Sequence, residues 1–394
     1  MKKENKKPRC PYCAPTQQLI HPMEYFQSFF YEHVSNVMNP LMPKKLENLL
    51  QKWVISGLFG SLRFVGLLTE EEIKPETKIH QRSRMIFNEA KKRGIPMKVF
   101  TLVNLPTNFF STVKNGKTFL FEGLPGLDPT AASSNIDNKE NARKLFRGIG
   151  APTPEGRGFT NVEEAVKYGK TIGFPLVVKP TQSSLSSHTS VNLKNEKELR
   201  EGIRIARMVA YGFIVEKYIE GELYRATTVN GKCIAVARRD PPVLTGDGIR
   251  TLKQLHDEKQ EEMNAMLKSL NYHEHKIPKL PEIGHHEHGH VLKPGEKKIL
   301  TWKINISHGA SVTDVTENVH PENMELFEAI AKEAKHPIIG IDFIAPDIRV
   351  SYKDQRCAVI ELNTLPAIDL HYPPAIIGKT QPVAKAIWDW FEKL

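Results

Sequence analysis

Cysteine is scarce, with four in 394 residues. Cys10, Cys13, Cys233 and Cys357 are too few and too scattered for a disulfide framework, which points to a reducing compartment. No apolar run approaches the roughly 20 residues that a membrane-crossing helix needs. The basic start MKKENKKPRC is followed by neither an apolar stretch nor a small-residue cleavage site, so it does not read as a signal peptide and a cytoplasmic protein is expected. No repeat of solenoid length is present. Hydrophobic residues at 40% and charged residues at 25% are ordinary globular proportions, and the length asks for two or three packed lobes. A net charge of +10 suits polyanionic ligands. No module combining basic and aromatic residues to read bases accompanies it, so neither nucleic acid nor membrane is the expected partner.

Two further absences are local. CPYC at 10–13 has no second CxxC to complete a zinc site and no thioredoxin-like strand and helix behind it, so it reads as part of a flexible basic tail over residues 1–18. HHEHGH at 285–290, with His273 and His275 upstream, offers zinc-type ligands at a spacing that fits no structural zinc pattern.

What is present is a succession of helix and strand patterns. PMEYFQSFFYEHVSNVM and KKLENLLQKWVISGLF carry apolar residues at helical spacing and give a helical segment over 19–61. RSRMIFNEAKKRGIPMKVFTLV reads as a helix stopped at Gly94 and then a strand. STVKNGKTFLFEG reads as a hairpin turning at Asn115-Gly116, and together these make a small α/β lobe over 62–137. A capped helix follows in SSNIDNKENARKLFRGIG, then a break at APTPEGRGFT and the helix NVEEAVKYGKTIG. FPLVVKP and GFIVEKYI are short buried strands, and YRATTVNGKCIAVARRD is a hairpin with Asn230-Gly231 at its tip. Residues 241–294 are polar and poorly periodic apart from the helix TLKQLHDEKQEEMNAML, and read as a long functional loop. ENMELFEAIAKEA is a helix, IIGIDFIA and CAVIELN are strands, and PVAKAIWDWFEKL closes the chain as a helix.

The strongest chemical signal lies in GIDFIAP and VIELNTLP. Strand alternation puts Glu361 and Asn363 on one face, two residues apart, and Asp342 sits on a second strand able to pair beside them. Carboxylate and amide oxygens suit a hard ion such as magnesium that also holds phosphate oxygens. Any one of the three, taken alone, is as well explained as a solvated strand end.

NKENARKLFRGIGAPTP, FPLVVKP, FIVEKYIEGELYR, AVARRDPPVLTGDGIRTLKQL, INISHGASVTDVT and GIDFIAPDI with VIELNTLPAIDLHYPP together resemble, in order and spacing, the ATP-grasp superfamily. Within it they resemble the ligase domain of cyanophycin synthetase and of bifunctional glutathione synthetases, over about Asn138 to Leu394. The resemblance implies an α+β ATP-grasp fold, its N-lobe at 138–220 and its C-lobe at 221–394 gripping ATP, preceded by the helical segment and the small lobe. It implies ATP and magnesium, with two ions expected and manganese as a substitute. It puts phosphate contacts at Arg143, where relatives usually have Lys, and at Lys179. Ser183 and Ser184 fall in the loop that would cover the phosphates, and Glu216, Lys217, Tyr218 and Ile219 in the segment that offers backbone groups to adenine. Arg225, Arg238 and Arg239 match positions facing triphosphate or acyl-phosphate, and Asn305, Ser307 and Gly309 a loop near phosphate and the substrate carboxylate. Asp342, Glu361 and Asn363 would hold the metal.

The chain departs from that pattern twice. TQSSLSSHTS has no glycine where relatives carry a Gly-rich loop. The acidic ribose contact aligns with Leu223, leaving Glu222 one place early, so a bulge would be needed to restore its face. The implied function is ligation of a carboxylate to an amine, on a small molecule or peptide, through an acyl-phosphate. The alternative is a degenerate module that binds nucleotide or peptide without ligation. A third reading makes residues 1–137 a docking module. The oligomeric state stays open.

Overall fold

The computed structural model describes residues 10, 12–13, 20–30, 57, 60–127, 135–181, 188–269, 279–302, 304, 309–373 and 375–394. In chain order the elements are α1 (His21–Phe30), β1 (Leu68–Glu72), α2 (Gln81–Lys92), β2 (Met97–Leu102), β3 (Leu105–Lys114) and β4 (Lys117–Glu122). Next come α3 (Lys139–Gly148), β5 (Gly156–Phe159), α4 (Val162–Ile172), β6 (Leu176–Pro180), β7 (Ser190–Leu193), α5 (Glu196–Ala206) and β8 (Phe213–Lys217). They are followed by β9 (Glu222–Val229), β10 (Lys232–Asp240), β11 (Val243–Thr245), α6 (Leu252–Ser269) and β12 (Lys297–Ile299). The chain closes with β13 (Ser311–Asp314), α7 (Pro321–Ala334), β14 (Ile338–Ala345), β15 (Ala358–Asn363), β16 (Ile376–Ile377) and α8 (Val383–Phe391).

Local chemistry sets many of these boundaries. Asn138, Asn161 and Asn195 cap α3, α4 and α5, each side-chain oxygen accepting from amides two or three residues on. Both Asn-Gly hairpins adopt positive φ at both turn residues, +50° and +71° at 115–116 and +48° and +77° at 230–231, the mirror-image turn that matches strand twist.

The chain divides into two compact units, residues 1–34, 154–222 and 239–313, and residues 35–153, 223–238 and 314–394. The first holds an antiparallel sheet of order β5-β8-β6-β7, with α4 and α5 covering one face through Ala165, Val166, Leu199 and Ile203 against Val178, Phe213 and Val215. α1 docks on this unit: Ser28 Oγ accepts the Tyr211 amide at 3.2 Å, and the Tyr25 and Phe29 rings meet Tyr211 edge-on at 6.2 and 5.3 Å.

Residues 241–294 are expected as a loop carrying one helix; the described ones, 241–269 and 279–294, keep that helix and pack around it. β11 pairs antiparallel with β12, α6 spans 18 residues, and Leu244, Leu252, Leu255, Ile283 and Leu292 form a core of their own beside a smaller cluster of Met263, Leu267 and Leu280. Three-residue strands give no readable alternation, which is why the composition passes for loop.

The second unit holds the four-stranded sheet β1-β2-β3-β4 and the strands β9, β14 and β15 of a six-stranded sheet of order β15-β14-β9-β10-β13-β16. On one face of that sheet Tyr224, Ala226, Ile341, Phe343 and Val359 pack on α3 and α7 through Phe146, Leu326, Phe327 and Ile330. On the other, Val229, Ala235 and Ile338 meet Ile86, Val99, Phe110, Phe121, Ile387 and Trp388. Among the described residues no helix is long and apolar enough to cross a membrane.

Gly156 shows how tightly the first sheet is built. It lies opposite Glu216 across β5 and β8, and an added Cβ would sit 2.6 Å from the Glu216 Cα and 2.6 Å from the Val215 carbonyl oxygen. Those are backbone atoms that cannot step aside, so Gly156→Ala is expected to cost about 1–3 kcal/mol, read as a lowered urea midpoint.

Candidate functional site

β14 and β15 run antiparallel with Asp342 opposite Glu361 and Gly340 opposite Asn363. Immediately beyond, the register jumps so that Phe343 faces Val359, leaving Ile360 as the extra residue of a bulge. The jump has a consequence for chemistry. Val359 packs into the apolar core with Phe343, and strict alternation would send Glu361 to that same face. The bulge re-aims Glu361 toward the face of Asp342, as bulges do beside functional sites.

Arg225 on β9 completes this face. Its Nη2 donates to Asp342 Oδ2 at 3.1 Å and its Nε to Oδ1, a forked pair with both side chains only 8% exposed. Burial alone would lower the Arg225 pKa, but Asp342, with a contribution from Glu361, outweighs it and holds the guanidinium above its ordinary value. Gly340 makes the room: a Cβ there would come within 3.0 Å of Arg225 Nη1 and of Pro366 Cβ. His371, fully buried, has its Nε2 2.8 Å from Thr227 Oγ1, and strand alternation gives Thr227 the same face of β9 as Arg225. Asn363 carries a buried Nδ2 with no hydrogen-bond partner. The two amide positions interchange by a flip, so Asn363 has a polar end that a metal or phosphate oxygen would satisfy. Two carboxylates and an amide on one sheet face fit a hard divalent ion.

In the first unit, Lys179 at the end of β6 forms a buried ion pair with Glu216 on β8, Nζ to Oε1 at 2.7 Å, with side chains 8% and 4% exposed. Lys217 instead braces the scaffold. Its ammonium donates to the carbonyls of Ile172, Gly173 and Phe174 at 3.2, 2.9 and 3.0 Å, closing the C-terminal end of α4. Its amide donates to Glu155 and that of Tyr218 to Pro175, at 2.7 and 3.1 Å. Tyr218 is half-buried, its hydroxyl pKa raised by burial and then by Glu220, and Ile219 is buried.

Residues 138–243 match a family described as "Carbamoyl-phosphate synthase L chain, ATP binding domain". Cyanophycin synthetase of Synechocystis sp. is 29% identical over 263 residues, 64% of this chain and 30% of that protein. The glutathione biosynthesis bifunctional protein GshAB of Streptococcus mutans is 31% identical over 250 residues, 59% of this chain and 32% of that protein. The chain carries an ATP-grasp domain. Its fold agrees: a bifunctional glutathione synthetase from Pasteurella multocida superposes with a TM-score of 0.54 at 18% identity, covering 80% of this chain and 44% of that one. The chain spans about a third of the length of the curated relatives it matches.

Within the ATP-grasp domain the matched segment contains Arg143, Lys179, Glu216 to Ile219, Glu222, Arg225, Arg238 and Arg239, whereas Asp342, Glu361 and Asn363 lie beyond it. Arg143 is buried on α3, its Nε 3.8 Å from Glu140 Oε2. Glu222 is exposed at the first position of β9, and alternation gives it the face of Tyr224 and Ala226, which line the core, rather than that of Arg225. Arg238 and Arg239 are half-buried at the end of β10, and Arg239 Nη2 donates to the Ile304 carbonyl. Gly309 has φ +85°, and a Cβ there would overlap Leu280 Cδ2, so packing within the first unit already requires glycine. Ser183, Ser184, Asn305 and Ser307 lie outside the described residues, as do His273 and His275.

His285 to Glu287 form a single turn, with the His285 and His288 rings 4.8 Å apart and Glu287 accepting from Lys298. Among the described residues they join no group of three or more metal-type ligands. Sequence reasoning passed over Gly340 and His371. The glycine two places before Asp342 on the same strand face was the legible signal for the first, and nothing local marks the second.

Proposed function

We propose that the chain is an ATP-dependent carboxylate-amine ligase that works through an acyl-phosphate on an amino-acid or peptide substrate. The observation that carries the reading is the convergence of Asp342, Glu361 and Asn363 on one sheet face beside Arg225, made possible by the bulge at Ile360. The relatives named for cyanophycin and for glutathione support it, as does a matched family described as ATP-binding.

Asp342, Glu361 and Asn363 are the residues that would hold magnesium. A magnesium ion held there would supply positive charge to offset the negative charge of the phosphate tail. The buried Lys179 supplies a fixed cation to the phosphates, with Arg143 as a second contact. The Lys217 and Tyr218 amides are already held by Glu155 and Pro175, so the remaining backbone groups of Glu216 to Ile219 would serve adenine, while Glu216 orients Lys179 through their ion pair. Lys217 contributes by fixing the end of α4 with its ammonium rather than by meeting the nucleotide with it. The substrate carboxylate oxygen attacks the γ-phosphorus and ADP leaves. The amine then attacks the acyl carbon and inorganic phosphate departs. Arg225 and Arg238, with Arg239 in a lesser part, present guanidinium charge to the oxygens on which negative charge grows. By the resemblance, Asn305, Ser307 and Gly309 would contribute contacts to the substrate carboxylate, and Ser183 and Ser184 contacts to phosphate. A reducing, cytoplasmic setting accords with the cysteine usage.

The test supplies ATP, magnesium and a panel of amino acids and dipeptides, and reads ADP, phosphate and product mass. Substrate-dependent ADP matched by a condensation product is the expected result. ATP binding without substrate-dependent ADP would establish instead a nucleotide-binding module without ligation, the reading that the exposed Glu222 and the glycine-free loop favour.

A further inference from the structure

In sequence, CPYC is half of a metal site with no second half. The fold supplies the rest. Cys10, Cys13, His21 and His188 each offer one ligand atom, and all four atoms lie within 4.8 Å of one another. Cys10 Sγ is 3.7 Å from His188 Nε2, and Cys13 Sγ is 3.3 Å from His21 Nε2. A tetrahedral zinc with Zn–S of about 2.3 Å and Zn–N of about 2.0–2.1 Å requires an S···N edge of about 3.6 Å. The two distances bracket that edge.

The surrounding backbone is arranged to bring these four together. His188 stands at φ +57° and is 1% exposed, a left-handed conformation that histidine adopts more readily than most side chains. Its amide donates to the Tyr12 carbonyl at 3.1 Å, clasping the Cys10–Cys13 turn, and its ring meets that of His21 edge-on at 4.9 Å. His21 opens α1, whose position is fixed by the Ser28 and Phe29 contacts with Tyr211. Three stretches of chain, up to 178 residues apart, thus converge on one point.

We propose that Cys10, Cys13, His21 and His188 form a structural zinc site. Two thiolates and two imidazoles are the ligand set of a closed tetrahedral site, whereas magnesium and calcium take oxygen. Each thiol lies beside an imidazole and all four ligand atoms lie within 4.8 Å of one another, a spread that a single ion can span. A two-iron cluster with this ligand set puts both sulfurs on one iron and both nitrogens on the other. Cys10 and Cys13 are thiols rather than a disulfide. His188 directly follows residues 182–187, which in turn follow Lys179 and its strand, so the ion anchors the end of the glycine-free segment to the N-terminal part of the chain. The site stands apart from the ligase reading, because metal content is measured without ATP.

The experiment uses the full chain, purified without a metal-affinity step, loaded with zinc and gel-filtered. Elemental analysis is expected to give a single zinc per chain, and Cys13→Ser and Cys10→Ser to lose it. The variant His285→Ala/His288→Ala keeps the zinc, separating this site from the His-rich turn. Replacement by cobalt gives thiolate charge-transfer bands and the intense visible bands of a tetrahedral ion, a readout on the unmutated protein that does not depend on how the variants fold. Less than about a tenth of a zinc per chain in the unmutated protein overturns the proposal. So does retention of zinc by Cys13→Ser together with its loss from the His285/His288 variant.

Discussion

Asp342→Ala is expected to abolish ATP turnover and, in the same protein, to cost about 3–5 kcal/mol of folding stability. The two losses have different origins. Turnover fails because a proposed metal ligand is gone. Stability falls because the forked pair with Arg225 is broken and a guanidinium is left with 8% of its side chain exposed and no carboxylate opposite it. The double variant Asp342→Ala/Arg225→Met removes the stranded charge and is expected to regain most of the stability with none of the activity. Glu361→Gln separates the effects in the other direction. Glu361 is only half-buried, so its urea midpoint should match that of the unmutated chain while ADP release drops by about 10²–10³-fold. Denaturation curves and coupled ADP assays on the four proteins decide the matter. Turnover in Asp342→Ala within about tenfold of the original would remove this carboxylate from the proposed site.

What the sequence makes legible is whatever is decided within a few residues. Asn138 and Asn161 announce helix starts because their side chains satisfy amides two and three places on. Asn115-Gly116 and Asn230-Gly231 announce hairpins because only such pairs accept two positive φ values cheaply. The pairing of the Asp342 strand with the Glu361 strand was also foreseeable, since both are short, apolar and β-branched. The bulge at Ile360 was not, because it is settled by which of Val359 and Ile360 the core of α3 and α7 accepts. α5 was overlooked although EKELREGIRIA carries both a cap at Asn195 and buried Leu199, Ile203 and Ala206 at helical spacing. β5 is four residues with two glycines and has no strand signature at all.

The side chains divide along the same line. Lys217 looks like a ligand contact in sequence, and only the position of the α4 carboxyl end shows what its ammonium is bound to. CPYC looks incomplete, and only the return of the chain at His188 completes it. Residue types and spacing report candidates, whereas their partners are fixed by contacts that no window of sequence contains.

The pH dependence of stability offers the other large effect, and it centres on His371. This imidazole is fully buried, its Nδ1 has no hydrogen-bond partner, and its Nε2 meets Thr227. A proton added to the ring would be an unsolvated charge with an unsatisfied N–H, close to the Arg225 guanidinium. Burial first, and Arg225 second, push its pKa down to about 3 from the ordinary 6.5. The direction of the linkage follows. Above pH 6.5 neither folded nor unfolded chain protonates this ring, and its full contribution to stability is present. As pH falls from 6.5 toward 3 the unfolded chain takes up a proton that the native chain refuses, so stability declines by about 1.4 kcal/mol per pH unit from this group alone. Across that window the loss is about 5 kcal/mol. His80 and His336 are also depressed, in each case chiefly by burial, and native carboxylates add their own acid sensitivity. The informative quantity is therefore the difference between the unmutated chain and His371→Gln, in which those shared contributions cancel. His371→Gln keeps a hydrogen-bonding group near Thr227 and cannot titrate. Urea denaturation from pH 8 to pH 4 should show the two proteins parallel above pH 6.5 and converging below it, with the variant the less acid-sensitive. Curves that stay parallel down to pH 4 would mean that His371 is protonated in the native chain and that its burial beside Arg225 does not exclude the charge.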